Sequence, residues 1–183
     1  MVGNAKQRID AGDIITELEV FMGREITFEY PAGATHLDPD EADGLLAKHI
    51  TIQSQLNEWE QINILQAERW ISRQNFKTNE ILTIDFVKKL HHKMLCNTWG
   101  WAGEFRKSDK NIGVHWLEIA VSIKNLMGDI EYQLAHHTYP GDELAARFHH
   151  RLVSIHPFAN GNGRHARMMT DILLLSQGEK RFS

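Results

Sequence analysis

Residues 156–167 read HPFANGNGRHAR, and this stretch decides how the rest of the chain is read. Upstream, from Asp142 as a cap, a helical pattern runs through Leu144, Phe148, Leu152 and Ile155. Downstream another helix runs from near Arg164 through Met168, Ile172 and Leu175 to Gly178. Between them Gly161, Asn162 and Gly163 suit tight backbone turns. The loop's N–H groups and the positive end of the next helix therefore converge on one spot, a geometry that suits a phosphate. Arg164 and Arg167 share a face of that helix and can brace two phosphates. His156 ends the preceding helix, and an imidazole there can take a proton from a hydroxyl near neutral pH.

Each piece alone has an ordinary reading: a turn for Gly-Asn-Gly, a solvated helix face for the arginines, a cap or core residue for the histidine. Together, a base, an anion nest and two cations in this order point to phosphoryl-group chemistry.

Working outward, the class is mainly α, a helical bundle. Asp38-Pro-Asp-Glu41 is a helix start, and a long helix is expected from there to about Arg73, with Leu45, Ile52, Leu56, Trp59, Ile62 and Trp70 as its buried stripe. A second begins near Thr83 and carries Phe86, Val87, Leu90 and Met94, ending at the bend NTWGWAGEFR; another passes through Ile123, Met127, Ile130 and Leu134. Residues 106–117 suggest a small β-hairpin or flap. Residues 24–30, REITFEY, alternate like a short strand, and the first 23 residues carry no assignable pattern.

The chain has 183 residues, 42% of them hydrophobic and 24% charged, enough for one folded domain. Its net charge of -4, with Lys and Arg scattered, leaves no footprint for tight binding to nucleic acid or an anionic membrane. No apolar run spans a bilayer and the N-terminus has no signal-peptide core, so a cytoplasmic location is expected. The single cysteine, Cys96, reads as a buried thiol.

The motif resembles the signature of the Fic family: His-Pro-Phe, any residue, Asp or Glu, Gly-Asn-Gly-Arg, two residues, Arg. WGWAGEFR and DKNIGV extend the likeness, and the order of elements resembles the subgroup called mobile mystery protein B. The resemblance implies a Fic domain over 35–183, with 1–34 as an N-terminal extension and one more helix expected to cover the core. It implies a protein adenylyltransferase that uses ATP with Mg²⁺ and modifies a Ser, Thr or Tyr hydroxyl of a target protein. His156 would be the catalytic base, Phe158 would hold the loop, and Gly161, Asn162, Gly163, Arg164 and Arg167 would bind the nucleotide's phosphates. Asn160 stands where the family places the acidic Mg²⁺ ligand, and its amide oxygen brings no charge. Gly163 stands where the related Doc toxins carry Lys, which favours AMP transfer over phosphorylation.

Lys110, Asn111, Ile112, Gly113 and Val114 would form the flap edge that pairs with the target backbone. Ser54 and Glu58 resemble the family's inhibitory pattern, with Glu58 expected to pair with Arg167 and Glu60 to point elsewhere; a separate antitoxin is the alternative source of restraint. Two other readings stay open: Doc-like phosphorylation or transfer of another phosphate-linked group, and a nucleotide-binding regulator with little catalysis. The neighbouring histidines 91/92, 136/137 and 149/150 point about 100° apart on a helix and read as surface or capping residues.

Overall fold

The structure is a computed structural model that describes residues 19–21, 24–26, 39–48, 50 and 53–180. Its centre is a helix that the sequence starts and stops by local chemistry. The Thr83 hydroxyl accepts from the Phe86 N–H at 3.1 Å and opens α4, Ile84–Leu95. Val87, Leu90, Met94 and Leu95 on one face are fully buried, each Leu-sized side chain contributing about 1.5–3 kcal/mol of transfer free energy.

Around α4 lie α2, Gln53–Ile71, α5, Ile119–Ala135, and α7, Asn162–Ser176, while α6, Gly141–Ile155, packs between α5 and α7. Two short helices, α1 at Pro39–Ala42 and α3 at Thr78–Ile81, and a 3-10 turn at Trp116–Glu118 complete the helical elements among the described residues. Phe148, Leu152, Phe158 and Met169 fill the space between α4, α6 and α7. Cys96 is half-buried against this core. The strands are β1, Glu19–Phe21, and β2, Arg24–Ile26, an antiparallel pair with Val20 opposite Glu25. β2 falls within the strand expected at 24–30, whose remainder lies outside the described residues, as does the Asp38 cap.

Three expectations are corrected. The long helix from Asp38 is broken: after α1 the chain leaves helical geometry so that Leu45 can bridge to Trp99. The Leu46 N–H donates to the Thr98 carbonyl at 2.8 Å and the Gly100 N–H to Gly44 at 2.7 Å, tertiary bonds that replace the helix's own. The buried stripe of α2 is also rotated. Trp59 and Ile62 are exposed, and the inward face is Leu56, Glu60, Asn63, Ile64, Ala67 and Ile71. Two polar residues sit on that face because bonding partners wait for them across it: Asn63 accepts from the Asn97 N–H and Glu60 from Trp99. Finally, residues 106–115 form bends and contain no strand.

Candidate active site

His156 caps α6 in the left-handed conformation, φ 53°, ψ 61°, which turns the chain sharply out of the helix toward Pro157. Its side chain is buried. Burial, followed by the charges of Arg106 and Lys110, pushes its pKa down to about 4, against a smaller upward contribution from a hydrogen bond to the Val153 backbone. At neutral pH the ring is uncharged, the state a general base needs.

Arg106, from the bend after α4, holds this corner together. Its own N–H donates to the Pro157 carbonyl at 3.0 Å. From its side chain Nε donates to the His156 carbonyl at 2.7 Å, one terminal nitrogen to Ser108 O at 2.7 Å, and the other to Val114 O. One guanidinium thus replaces the cross-strand bonds of the expected hairpin: the 107–115 loop is folded around it. The Asp109 carboxylate accepts from the Trp116 N–H and closes the loop's far end. Asn111, Ile112 and Gly113 are exposed at its tip, whereas the Lys110 side chain is buried in an ion pair with Glu41 of α1. Nothing in the spacing of WGWAGEFR distinguishes Arg106 from a surface arginine, so sequence reasoning missed it.

The motif loop is shaped from within. Asn162 is buried, its Oδ1 accepting from the Phe158 N–H at 2.9 Å and its Nδ2 donating to the Phe158 carbonyl at 2.8 Å. Asn162 therefore fixes the loop, and its side chain is turned away from a phosphate-binding role. Gly161 adopts φ 78° beside Leu95, where a Cβ would stand 2.9 Å from Leu95 Cδ1. No side-chain hydrogen bond caps the first turn of α7, which leaves its amides without an intrahelical partner. Arg164 and Arg167 both line a cleft of about 350 Å³ between α2 and α7, with Ile64, Met168 and Ile172 on its apolar wall.

The glutamate of α2 that reaches the motif is Glu60. Glu58 and Ser54 are exposed, which corrects the expected pairing of Glu58 with Arg167. The Glu60 carboxylate is buried; Oε2 accepts from Arg164 at 2.7 Å, and Oε1 accepts from Trp99 Nε1 at 2.7 Å and from Asn160 Nδ2 at 3.2 Å. The rotated stripe of α2 explains the exchange: with Leu56, Ile64 and Ala67 inward, position 60 falls on the buried face and 58 off it.

The donors at residue 160 test whether the chain builds a Mg²⁺ site. Asn160 Oδ1 accepts from the Gly161 N–H at 2.7 Å and its amide nitrogen donates to Glu60, so both ends are engaged. Among the described residues no group of three or more His, Cys, Asp and Glu side chains converges. These residues do not fit a protein-built Mg²⁺ site.

His91, read as a surface or capping residue, is fully buried under the loop, and burial lowers its pKa well below the usual histidine value. His165 on α7 lies at right angles to Phe158 and donates from Nε2 to the Val87 carbonyl; burial brings its pKa to about 4.

With this geometry in place, residues 81–174 match the model of the Fic/DOC family, and the chain belongs to that family. It is 31% identical over 117 residues to a protein adenylyltransferase Fic of Aedes aegypti, an overlap of 61% of this chain and 23% of that protein. The chain therefore spans about a quarter of the length of such curated relatives. Among solved structures, the N-terminal Fic domain of a Bartonella sp. AR 15-3 effector superposes with a TM-score of 0.64 at 17% identity, covering 79% of this chain and 77% of that one. The BepC protein of Bartonella tribocorum, solved with bound AMPPNP, gives 0.62 at 17% identity over 77% of this chain and 80% of that one. The mainly helical fold is that of Fic domains. No helix among the described residues is long and apolar enough to cross a membrane.

Proposed function

We propose that this chain transfers AMP from ATP to the hydroxyl of a Ser, Thr or Tyr side chain on a target protein. The observation that carries the reading is the placement of an uncharged, buried His156 at the head of a loop that runs into the uncapped N-terminus of α7, with Arg164 and Arg167 on one cleft wall. His156 takes the hydroxyl proton; the oxygen attacks the α-phosphorus; the bond to the β-phosphate oxygen breaks and pyrophosphate leaves. Its developing charge falls where the first-turn amides and two guanidiniums can hold it. Anionic phosphates beside His156 raise its proton affinity from the value in the empty site, bringing the base nearer to working pH. Mg²⁺ enters with ATP as part of the substrate.

The exposed backbone of Asn111, Ile112 and Gly113 suits an extended target segment laid alongside it, with Lys110 and Val114 as the anchored ends of that edge. Restraint is internal in this reading: Glu60 holds Arg164, and a γ-phosphate has to draw the guanidinium away from a buried carboxylate. The same contact and the neutral Asn160 favour a second reading, a nucleotide-binding protein whose transfer is slow. The names of the insect relatives support AMP over phosphate as the transferred group.

Intact-mass analysis after incubation with Mg²⁺ and ATP, alone and with lysate, tests both. An adenylyl adduct that vanishes in His156→Ala, with nucleotide affinity retained, is the expected result. A phosphoryl adduct, or an adenylyl adduct undiminished in that variant, overturns the proposal.

A further inference from the structure

The ring of His91 links the motif loop to the bend after α4, and its hydrogen bonds leave only one tautomer. The Gly103 N–H donates to Nδ1 at 2.9 Å, so Nδ1 carries the lone pair. Nε2, 3.0 Å from the Asn160 carbonyl, must then carry the proton and donate. The ring lies flat against Phe158, centroids 3.7 Å apart and planes 13° from parallel, so it cannot swing out of this line. Gly103 is held in turn by its φ of 87°, with Lys88 O and His92 packed where a side chain would go. The acceptor end of His91 is thus anchored to a rigid turn, and its donor end reaches the peptide that joins Asn160 to Gly161.

That peptide decides what the loop can bind. With the Asn160 carbonyl drawn down to His91, the far side of the peptide faces the Asn160 side chain, and the chain enters Gly161 in the left-handed conformation from which α7 begins. Without the bond a half-buried carbonyl would lose its donor, and rotation of the 160–161 peptide would carry the first-turn amides of α7 with it.

We infer that His91 is a positioning residue of this site: its Nε2–H fixes the 160–161 peptide and thereby the orientation of the α7 amides toward a nucleotide's phosphates. The inference rests on the reading of residues 160–167 as the phosphate site.

Two substitutions separate the two ring nitrogens. Gln can place an amide N–H near Nε2 and keep the bond to Asn160, while Asn can place an oxygen near Nδ1 and keep only the bond from Gly103. Two measurements are made on both variants and on wild type: the backbone amide spectrum of Gly161, Gly163 and Arg164 in nucleotide-free protein, and the Kd for ATP. Wild type is expected to give the Nε2-protonated pattern in ring ¹⁵N spectra. His91→Gln is expected to keep the loop resonances near their wild-type positions and ATP affinity within about threefold, while His91→Asn shifts those resonances and weakens ATP by about tenfold or more. Loop resonances that move equally in both variants, or in neither, overturn the inference, as does an Nδ1-protonated ring. Melting curves show whether the two variants are equally folded, and a variant that fails to fold is replaced by ring ¹⁵N spectra of wild type as the deciding measurement. Wild type that binds no ATP while the loop resonances follow the expected pattern refutes the nucleotide reading and not the role of His91 in setting the loop.

Discussion

Glu60 of α2 and Arg164 of α7 meet at 2.7 Å, joining a buried carboxylate to a guanidinium that is 40% exposed at the cleft mouth. The arginine can leave for an incoming anion more easily than the carboxylate can leave the core, because Glu60 is held as well by Trp99 and Asn160. Glu60→Gln keeps an oxygen for Trp99 and removes the charge that competes for Arg164. ATP affinity is expected to rise by about tenfold, measured by calorimetry, and Glu58→Gln, exposed on the same helix, to leave it unchanged. Equal affinity of wild type and Glu60→Gln would show that the ion pair does not restrain the site.

Acid should weaken the fold through its buried histidines. His156 and His165 have pKa values near 4 and His91 is lowered as well, against 6.5 for an exposed ring. Between those values the unfolded chain binds more protons than the folded one, so stability rises with pH there. It is fully present above pH 6.5 and is lost as pH falls toward 4, with His165 alone accounting for on the order of 3 kcal/mol. Urea unfolding at pH 8 and pH 5 measures this. His165→Gln should be less stable at pH 8 yet flatter between the two, and a wild-type stability independent of pH would contradict the neutral, buried assignment.

The layout of the motif was legible because its residues are consecutive: His156 at the end of α6, the glycine turn, and the arginines on α7 are all where their spacing puts them. α4 was legible from Thr83 onward because its cap and its apolar face agree. What could not be read depends on partners distant in sequence. Trp59 and Ile62 look more suitable for a core than Glu60 and Asn63, and only Trp99, Asn97 and Arg164 across the interface reverse that preference. The loop after Arg106 has the Asn-Ile-Gly centre and β-compatible flanks of a hairpin, but a guanidinium folded inside it satisfies the carbonyls that strands would have paired. His91 resembles any amphipathic-helix histidine until Gly103 and Asn160 are brought to its two nitrogens.

Asn160→Asp probes how this chain departs from the family pattern. The new carboxylate would stand where an amide nitrogen lies 3.2 Å from Glu60 Oε1, so a favourable contact becomes a repulsion between like charges. In EDTA at pH 8 the variant should melt below wild type. Mg²⁺ should restore it, since two adjacent carboxylates supply the charge that Asn160 lacks, while wild type without nucleotide should not respond. Thermal melts with and without Mg²⁺ decide the point: equal responses of the two proteins would mean that residue 160 does not face Glu60.

Gly113, at the tip of the 107–115 loop, packs that loop against His156. Its φ is 107°, and an added Cβ would lie 2.7 Å from an Arg106 terminal nitrogen, 2.8 Å from His156 Cβ and 3.1 Å from Ile155 O. Arg106 cannot give way without losing its bonds to Val114 and His156, and His156 cannot move without leaving its place at the end of α6. Gly113→Ala is therefore expected to lower stability by about 1–3 kcal/mol through a backbone conformation unsuited to alanine. On the proposed mechanism, transfer should fall further, by roughly hundredfold, because a displaced His156 would no longer meet the hydroxyl in line with the α-phosphate. Gly128 on α5 is the matched control: nothing lies within 4 Å of its Cβ position, and alanine there should stabilise the helix by about 0.5–1 kcal/mol with activity unchanged. Chemical denaturation and single-turnover kinetics on both variants give the comparison. A Gly113→Ala protein that loses only as much activity as its unfolded fraction explains would show that the loop and His156 are not coupled through this contact.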